Sequence, residues 1–291
     1  MPESDSFSSL LAGLVSGQYE VQDVYARNNR LTIFSASSTG VGSNYDYPYK
    51  LEKHPGSETI RNTCVEYVLD SAINKPHISN REILDMAVKR RADYVVPKDT
   101  PGDPEATIES LREFKRLFET HKDTYGHLTP IAPLQPPHRE SYLQYEELYS
   151  EFPIIGVGGL KDSDPSRQLT AIKNVREEIA NTPIHGFGMG GTLDFVKTVR
   201  ENPGLVQSVD LSTGEQAALN GQQLTATLDQ TPSRTPHGEK SSQLRGIAAE
   251  RNLLVLNYLY SDLVADEEIE QTWQSVFQDR SLDEFQQTTL A

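Results

Sequence analysis

Short apolar runs alternate along this chain with longer stretches in which apolar residues recur every three or four positions. The runs are Leu31-Thr32-Ile33-Phe34, Val65-Glu66-Tyr67-Val68-Leu69, Tyr94-Val95-Val96, Leu128 to Gln135, Ile154-Ile155-Gly156-Val157, Pro183 to Gly190 and Val206-Gln207-Ser208-Val209. Four of them end in polar or glycine residues: Asp70, Asp99, Gly158-Gly159 and Asp210. The intervening stretches read as helices. Ser79-Asn80-Arg81-Glu82 is a capping box ahead of Ile83, Leu84, Ala87 and Val88. Asp103-Pro104 places an N-cap and an N1 proline before Ile108, Leu111, Phe114 and Phe118, and Asp164-Pro165 repeats the device before Leu169, Ile172, Val175 and Ile179. Further helices are expected over Glu140–Tyr149 and around Phe195, Val196 and Val199. Strand and helix in regular alternation predict an α/β chain, a (β/α)8 TIM barrel. Seven strands are located in this way and the eighth is not.

The flanks are less regular. Residues 1–30 are polar, with a short helix expected at Ser9–Val15, and Ser35 to Tyr49 reads as a long polar loop able to cover a site. The barrel core is expected over about residues 31–213, and residues 214–243 read as a loop or insertion. Residues 244–291 read as a C-terminal helical extension: a helix from Leu244 to about Leu263 buries Ile247, Leu254, Val255 and Tyr258, and a last one carries Trp273 and Phe277. One domain spanning 1–291 is predicted, since 291 residues suit one barrel of about 250 with extra segments.

Composition narrows the function classes. No run approaches the roughly 18 apolar residues of a membrane-spanning helix, and the first residues lack a basic signal-peptide region, so a cytoplasmic protein is expected (host cytoplasm if viral). Cys64 is the lone cysteine, which excludes an internal disulfide and a multi-cysteine zinc site; it is expected to pack beside the strand that follows it. Forty-two acidic against 27 basic residues give a formal charge of −15. That balance argues against broad electrostatic binding of nucleic acid. It also suits a protein of an extreme halophile, viral or archaeal, where molar salt shrinks the counterion-release contribution anyway.

A carboxylate at a strand end can simply cap the next turn. Capping does not require Asp70, Asp99 and Asp210 to face one another, whereas the carboxyl-end face of a parallel barrel would bring them together. Glycosyl transfer uses such a set. One carboxylate traps an oxocarbenium-like sugar, a second manages the proton on the base nitrogen, and a third can read the base edge. Gly158-Gly159 would let backbone approach a ligand, or merely spare room in the barrel. The Gly186-x-Gly188-x-Gly190 spacing is a poor dinucleotide-binding fingerprint. His77, His127 and His185 have no metal-ligand spacing and read as structural or surface residues.

The order of these pieces resembles the catalytic barrel of the tRNA-guanine transglycosylase family. Asp70-Ser71 occupies the place of that family's Asp-Ser-Gly-Gly-Phe-Gln motif, and Lys98-Asp99-Thr100-Pro101 that of its Asp-Glu-Cys-Thr-Pro segment. Leu134-Gln135 resembles a Gln-Gly strand end, Gly158-Gly159-Leu160 a Gly-Gly-Leu motif, and Phe187-Gly188-Met189-Gly190 a Met-Gly-Val-Gly strand end. Val209-Asp210-Leu211 resembles a Phe-Asp-Cys strand end. The similarity covers about residues 65–213. It implies Asp210 as nucleophile on C1′ and Asp70 as general acid/base. It also implies a base-binding set of Asp99, Gln135, Gly158, Gly159, Leu160, Met189 and Gly190; no cofactor is expected, and with a single cysteine no metal. Ala72-Ile73-Asn74-Lys75 replaces the Gly-Gly-Phe-Gln part, and one cysteine cannot supply the family's three-cysteine, one-histidine zinc site. The reduced pattern looks like the divergent DpdA-like branch, the DNA-guanine transglycosylases, which exchange guanine in DNA for a 7-deazaguanine such as preQ0. DNA is then the expected partner, alongside possible partner proteins of a DNA-modification pathway. The target base would have to be flipped out or single-stranded.

Arg234, His237, Lys240, Arg245 and Arg251 concentrate positive charge after Asp210 and are expected to follow a phosphate backbone. Lys89-Arg90-Arg91 fits an ordinary helix C-terminus. The alternatives are the same chemistry on tRNA, an inactive barrel serving as a binding subunit, and a barrel lyase or aldolase using Lys98 as a Schiff-base amine.

Overall fold

A computed structural model describes residues 21–37, 42–71, 77–160, 163–179, 181–232, 242–267 and 269. Eight parallel strands close into a barrel in sequence order. They are β1 (Thr32–Ser37), β2 (Tyr49–Lys53), β3 (Glu66–Asp70), β4 (Tyr94–Val95), β5 (Thr129–Leu134), β6 (Ile154–Val157), β7 (Ile184–Gly186) and β8 (Ser208–Leu211), with β8 pairing back onto β1 through Phe34 and Asp210. The barrel predicted from the alternation of patterns is the one that forms.

The strand missing from the sequence reading is β2. Its first residue, Tyr49, closes the expected polar loop and the next four carry no expected element, yet Lys50 and Glu52 are buried on its outward side. Lys50 Nζ donates to the Tyr45 carbonyl (2.5 Å) and to Thr63 Oγ1 (2.8 Å), and the Glu52 carboxylate accepts the Ser57 N–H (2.6 Å). Burial lowers the Lys50 ammonium to about 8, despite nearby acidic groups. A strand that buries charge by satisfying it locally leaves no apolar run to find.

The helices follow their caps. α1 (Val21–Arg27) precedes the barrel. α2 (Asn80–Arg90) has the full Ser79–Glu82 capping box, α3 (Pro104–Thr120) is capped by Asp103, and α7 (Pro165–Glu178) by Asp164. Between them lie the short α4 (Lys122–Tyr125), and α5 (His138–Gln144) with α6 (Glu146–Tyr149); the single helix expected over Glu140–Tyr149 is thus two, broken at Tyr145. α8 (Leu193–Glu201) is capped by Thr192.

After β8 the chain corrects the expected insertion. Residues 213–232 form α9 (Thr213–Leu219) and an antiparallel hairpin of β9 (Gln222–Leu224) and β10 (Gln230–Pro232). α10 (Ser242–Tyr260) packs on α9 and α1, and takes its place in the outer ring. Ile247 is 58% exposed rather than buried, whereas Leu253, Val255, Leu256, Tyr258, Leu259 and Tyr260 are all buried. The second half of α10 is enclosed on every side, so an apolar stripe does not identify its inward face. These residues join the core of the barrel helices. Ser9–Val15, Trp273 and Phe277 lie outside the described residues. Among the described residues no helix is long and apolar enough to cross a membrane.

Candidate active site

Strand alternation sends two sets of side chains in opposite directions. Phe34, Leu51, Val68, Val96 and Ile131 pack together inside the barrel, with Tyr49, Tyr94, Ile154 and Phe187 against them. Two residues beyond Val68 on β3 the same inward face carries Asp70, and on β8 it carries Asp210, two residues beyond Ser208 and paired in register with Phe34. The acids therefore stand on an apolar plug at the carboxyl ends of the strands, the face on which barrel enzymes build their sites.

Asp70 is 8% exposed, and its carboxyl is held well above the usual carboxylate range. Burial is the main cause, and the charges of Asp210 and Asp99 add to it; Lys53, paired with Asp70 in the β2–β3 register, opposes them. Asp99 is also raised by burial. It accepts the Ser71 hydroxyl (3.1 Å) and Gln135 Nε2 (2.6 Å). The three carboxylates therefore share one electrostatic environment, as expected from the strand ends.

Asp210 is held differently. Its Oδ1 accepts the Gly188 N–H (3.1 Å) and Nε2 of His185 (3.3 Å), while His185 Nδ1 meets Ser208 Oγ (2.8 Å). His185 is fully buried and packs edge-on against Phe187, with ring centroids 4.7 Å apart. The sequence reading set His185 aside as structural. Its signal was the alternation itself: His185 on β7 and Ser208-x-Asp210 on β8 put polar residues on inward positions. Lys53 was missed with its strand.

The base-binding set divides. Gln135 is 2% exposed, and its Oε1 is buried without a hydrogen-bond partner. Gly159 lies against that amide with φ +72; a Cβ there would stand 2.8 Å from Pro136 Cδ and 3.0 Å from Gln135 Oε1. Gly158 is close to Gln135 too, but its N–H is committed to Leu134 O and its carbonyl accepts from His138 Nε2. It contributes shape rather than a donor. Leu160 and Met189 belong to the outer layer between barrel and helices, where Met189 covers Gly186. Gly190 (φ +108) turns the chain above Val209 and is anchored through its carbonyl to the Tyr260 hydroxyl. These three support the site from behind and do not line it, because the turn after β7 sends Met189 outward. It is Gly188 that reaches the acids.

Arg245, near the start of α10, is half-buried, and the neighbouring Gly246 packs on the carbonyl of Asn44 in the β1–β2 connection. Arg251, six residues along α10, is half-buried, and burial lowers its guanidinium below the ordinary range. It belongs to the helix packing and not to an open basic track. Arg234, His237 and Lys240 lie outside the described residues. Lys98 follows β4, its N–H bonded to Asn80 Oδ1. Among the described residues no group of three His, Cys, Asp or Glu is arranged to hold a metal ion.

No family model matches the chain, and no curated protein matches it in sequence. Among solved structures it is similar to the YdjI aldolase from Escherichia coli K12, at 13% identity over 86% of this chain and 93% of that one, with a TM-score of 0.51. A carboxyl transferase domain of Rhizobium etli pyruvate carboxylase is similar at 14% identity, over 89% of this chain and 55% of that one, with a TM-score of 0.46. At this identity the first likeness speaks for the barrel fold alone.

Proposed function

We propose that this chain is a retaining transglycosylase that exchanges guanine in DNA for a 7-deazaguanine of the preQ0 type. The observation that carries the reading is the unequal treatment of two acids on one face. Asp210 Oδ1 accepts hydrogen bonds from Gly188 and His185, whereas Asp70 is desolvated beside two other acids and its carboxyl is held well above the usual carboxylate range. Paired acids held in such different surroundings suit a nucleophile and a general acid.

In the first half-reaction an Asp210 oxygen forms a bond to C1′ as the bond from C1′ to N9 of guanine breaks. The electron pair leaves with the base, and Asp70 supplies the proton. In the second, the incoming base returns its N9 proton to Asp70 and displaces Asp210, so configuration is retained. Asp99 and Gln135 read the base edge. The orphan Gln135 Oε1 supports that role, because a buried acceptor left unpaired costs about 1–3 kcal/mol and a base N–H would satisfy it. DNA is preferred over tRNA because a single cysteine cannot build the zinc site of the tRNA enzymes that the motifs resemble.

The test is release of labelled guanine from DNA or tRNA in the presence of a 7-deazaguanine, at low and high salt, with Asp210→Ala alongside. Release from DNA alone, by the unmutated protein alone, supports the proposal. Release from tRNA alone transfers the chemistry to RNA. No release from either by a folded protein rejects it.

A further inference from the structure

We infer that His185 and Ser208 form a buried positioning pair that chooses which oxygen of Asp210 attacks the sugar. The inference rests on the nucleophilic role proposed above for Asp210, and its geometry is independent of the substrate. His185 and Ser208 are direct cross-strand partners on β7 and β8, and Asp210 lies two residues beyond Ser208 on the same inward face. One i to i+2 step along a strand spans roughly 6.6 Å. An imidazole projecting from the neighbouring strand can bridge that step, one ring nitrogen on each residue. Nδ1 meets the serine hydroxyl at 2.8 Å and Nε2 meets Asp210 Oδ1 at 3.3 Å.

The chemistry of the two partners fixes the proton. A carboxylate can only accept, so Nε2 carries the hydrogen and Nδ1 accepts from the Ser208 hydroxyl, which is free to turn towards it. Phe34 and Phe187 close over the ring edge-on, and Asp210 is the ionisable group hydrogen-bonded to it. The Gly188 N–H donates to the same Oδ1. Both donors thus occupy one oxygen, which leaves Oδ2 as the nucleophile. When the Oδ2–C1′ bond forms, Oδ1 becomes the ester carbonyl oxygen, still hydrogen-bonded. When Oδ2 leaves in the second half-reaction, the same donors receive the returning negative charge. His185 transfers no proton in either step; that exchange belongs to Asp70 and the bases.

Two measurements test the pair. The first is the 15N NMR pattern of the His185 imidazole in the unmutated protein and in Ser208→Ala. A hydrogen on Nε2 with Nδ1 as acceptor, and a mixture of tautomers in Ser208→Ala, are expected; a ring carrying its hydrogen at Nδ1 would overturn the assignment whatever the substrate proves to be. The second is trapping of the covalent protein–nucleic acid complex. His185→Phe should form it slower by on the order of 100-fold, the scale seen when a donor to reacting charge is removed. His185→Gln, which keeps an N–H near the Nε2 position, should recover most of the rate, and affinity for the free base should move little in either. Equal trapping by the unmutated protein and a folded His185→Phe variant sinks the inference. Absence of any complex from the unmutated protein rejects the proposed function instead, with the tautomer result still standing as the measure of the pair.

Discussion

The two ends of the barrel both carry acids, and they treat them in opposite ways. At the amino end, Asp93 pairs with Arg61 at 2.7 Å and accepts the Tyr67 N–H at 2.8 Å, while Glu66 accepts the Tyr94 hydroxyl at 3.0 Å. Each of these contacts ties one strand or connection to its neighbour. At the carboxyl end, Asp70, Asp99 and Asp210 crowd together with Lys53 as the opposing charge beside Asp70, and Asp70 and Asp99 are held above their ordinary range. The first arrangement strengthens the fold. The second opposes it, which is the usual cost of a site prepared for chemistry.

Substitution at each end should separate these roles. The largest effect is expected from Asp70→Asn, which removes the transferable proton. Activity should fall by about 1,000-fold, within the range given for general acid–base catalysis, as a guanine-release assay would read. The same variant should be more stable at neutral pH by about 1 kcal/mol, visible as a higher denaturation midpoint. A less stable Asp70→Asn protein would contradict the contrast between the two ends.

The pH dependence carries the same sign. Asp70 and Asp99 bind protons more tightly folded than unfolded, so their contribution to stability is greatest in acid. It is lost as pH rises from the ordinary carboxylate range through their raised folded values. Urea unfolding across that range should show the decline, and Asp99→Asn should flatten part of it. A decline unchanged in Asp99→Asn would remove that residue from the account.

Gly159→Ala should act on the reader of the base. Strain at positive φ costs roughly 1–2 kcal/mol, and the new methyl would press on Gln135 and Pro136. Weaker binding of the incoming base by about tenfold, within the roughly 1.4 kcal/mol that such a factor represents, should appear in KM before kcat. The smallest effect belongs to the amino end. Arg61→Ala should lower stability by at most about 1 kcal/mol, because the ion pair is partly exposed. Turnover should stay the same; a loss of turnover there would show that the two ends are coupled.

Much of this was legible from residue order. The caps at Ser79, Asp103 and Asp164 and the apolar spacing behind them located α2, α3 and α7. The runs ending in Asp70 and Asp210 located two strands and two of the acids. What escaped notice had local satisfaction in place of a pattern. β2 hides its buried Lys50 and Glu52 among polar partners. α10 is enclosed all round in its second half, so spacing mispredicted Ile247. Met189 entered the base-binding set through the motif resemblance of Phe187-Gly188-Met189-Gly190, yet its side chain packs outward over Gly186.

The chain's order of apolar and polar positions therefore determined the barrel and the acids at its strand ends, because strand and helix periods are local properties. Closure of the barrel decided the rest. It set His185 beside Ser208 under Asp210, surrounded Asp70 with other acids, and left Gln135 Oε1 buried and unpaired. Such pairings join residues of different strands, and no spacing along the sequence encodes them.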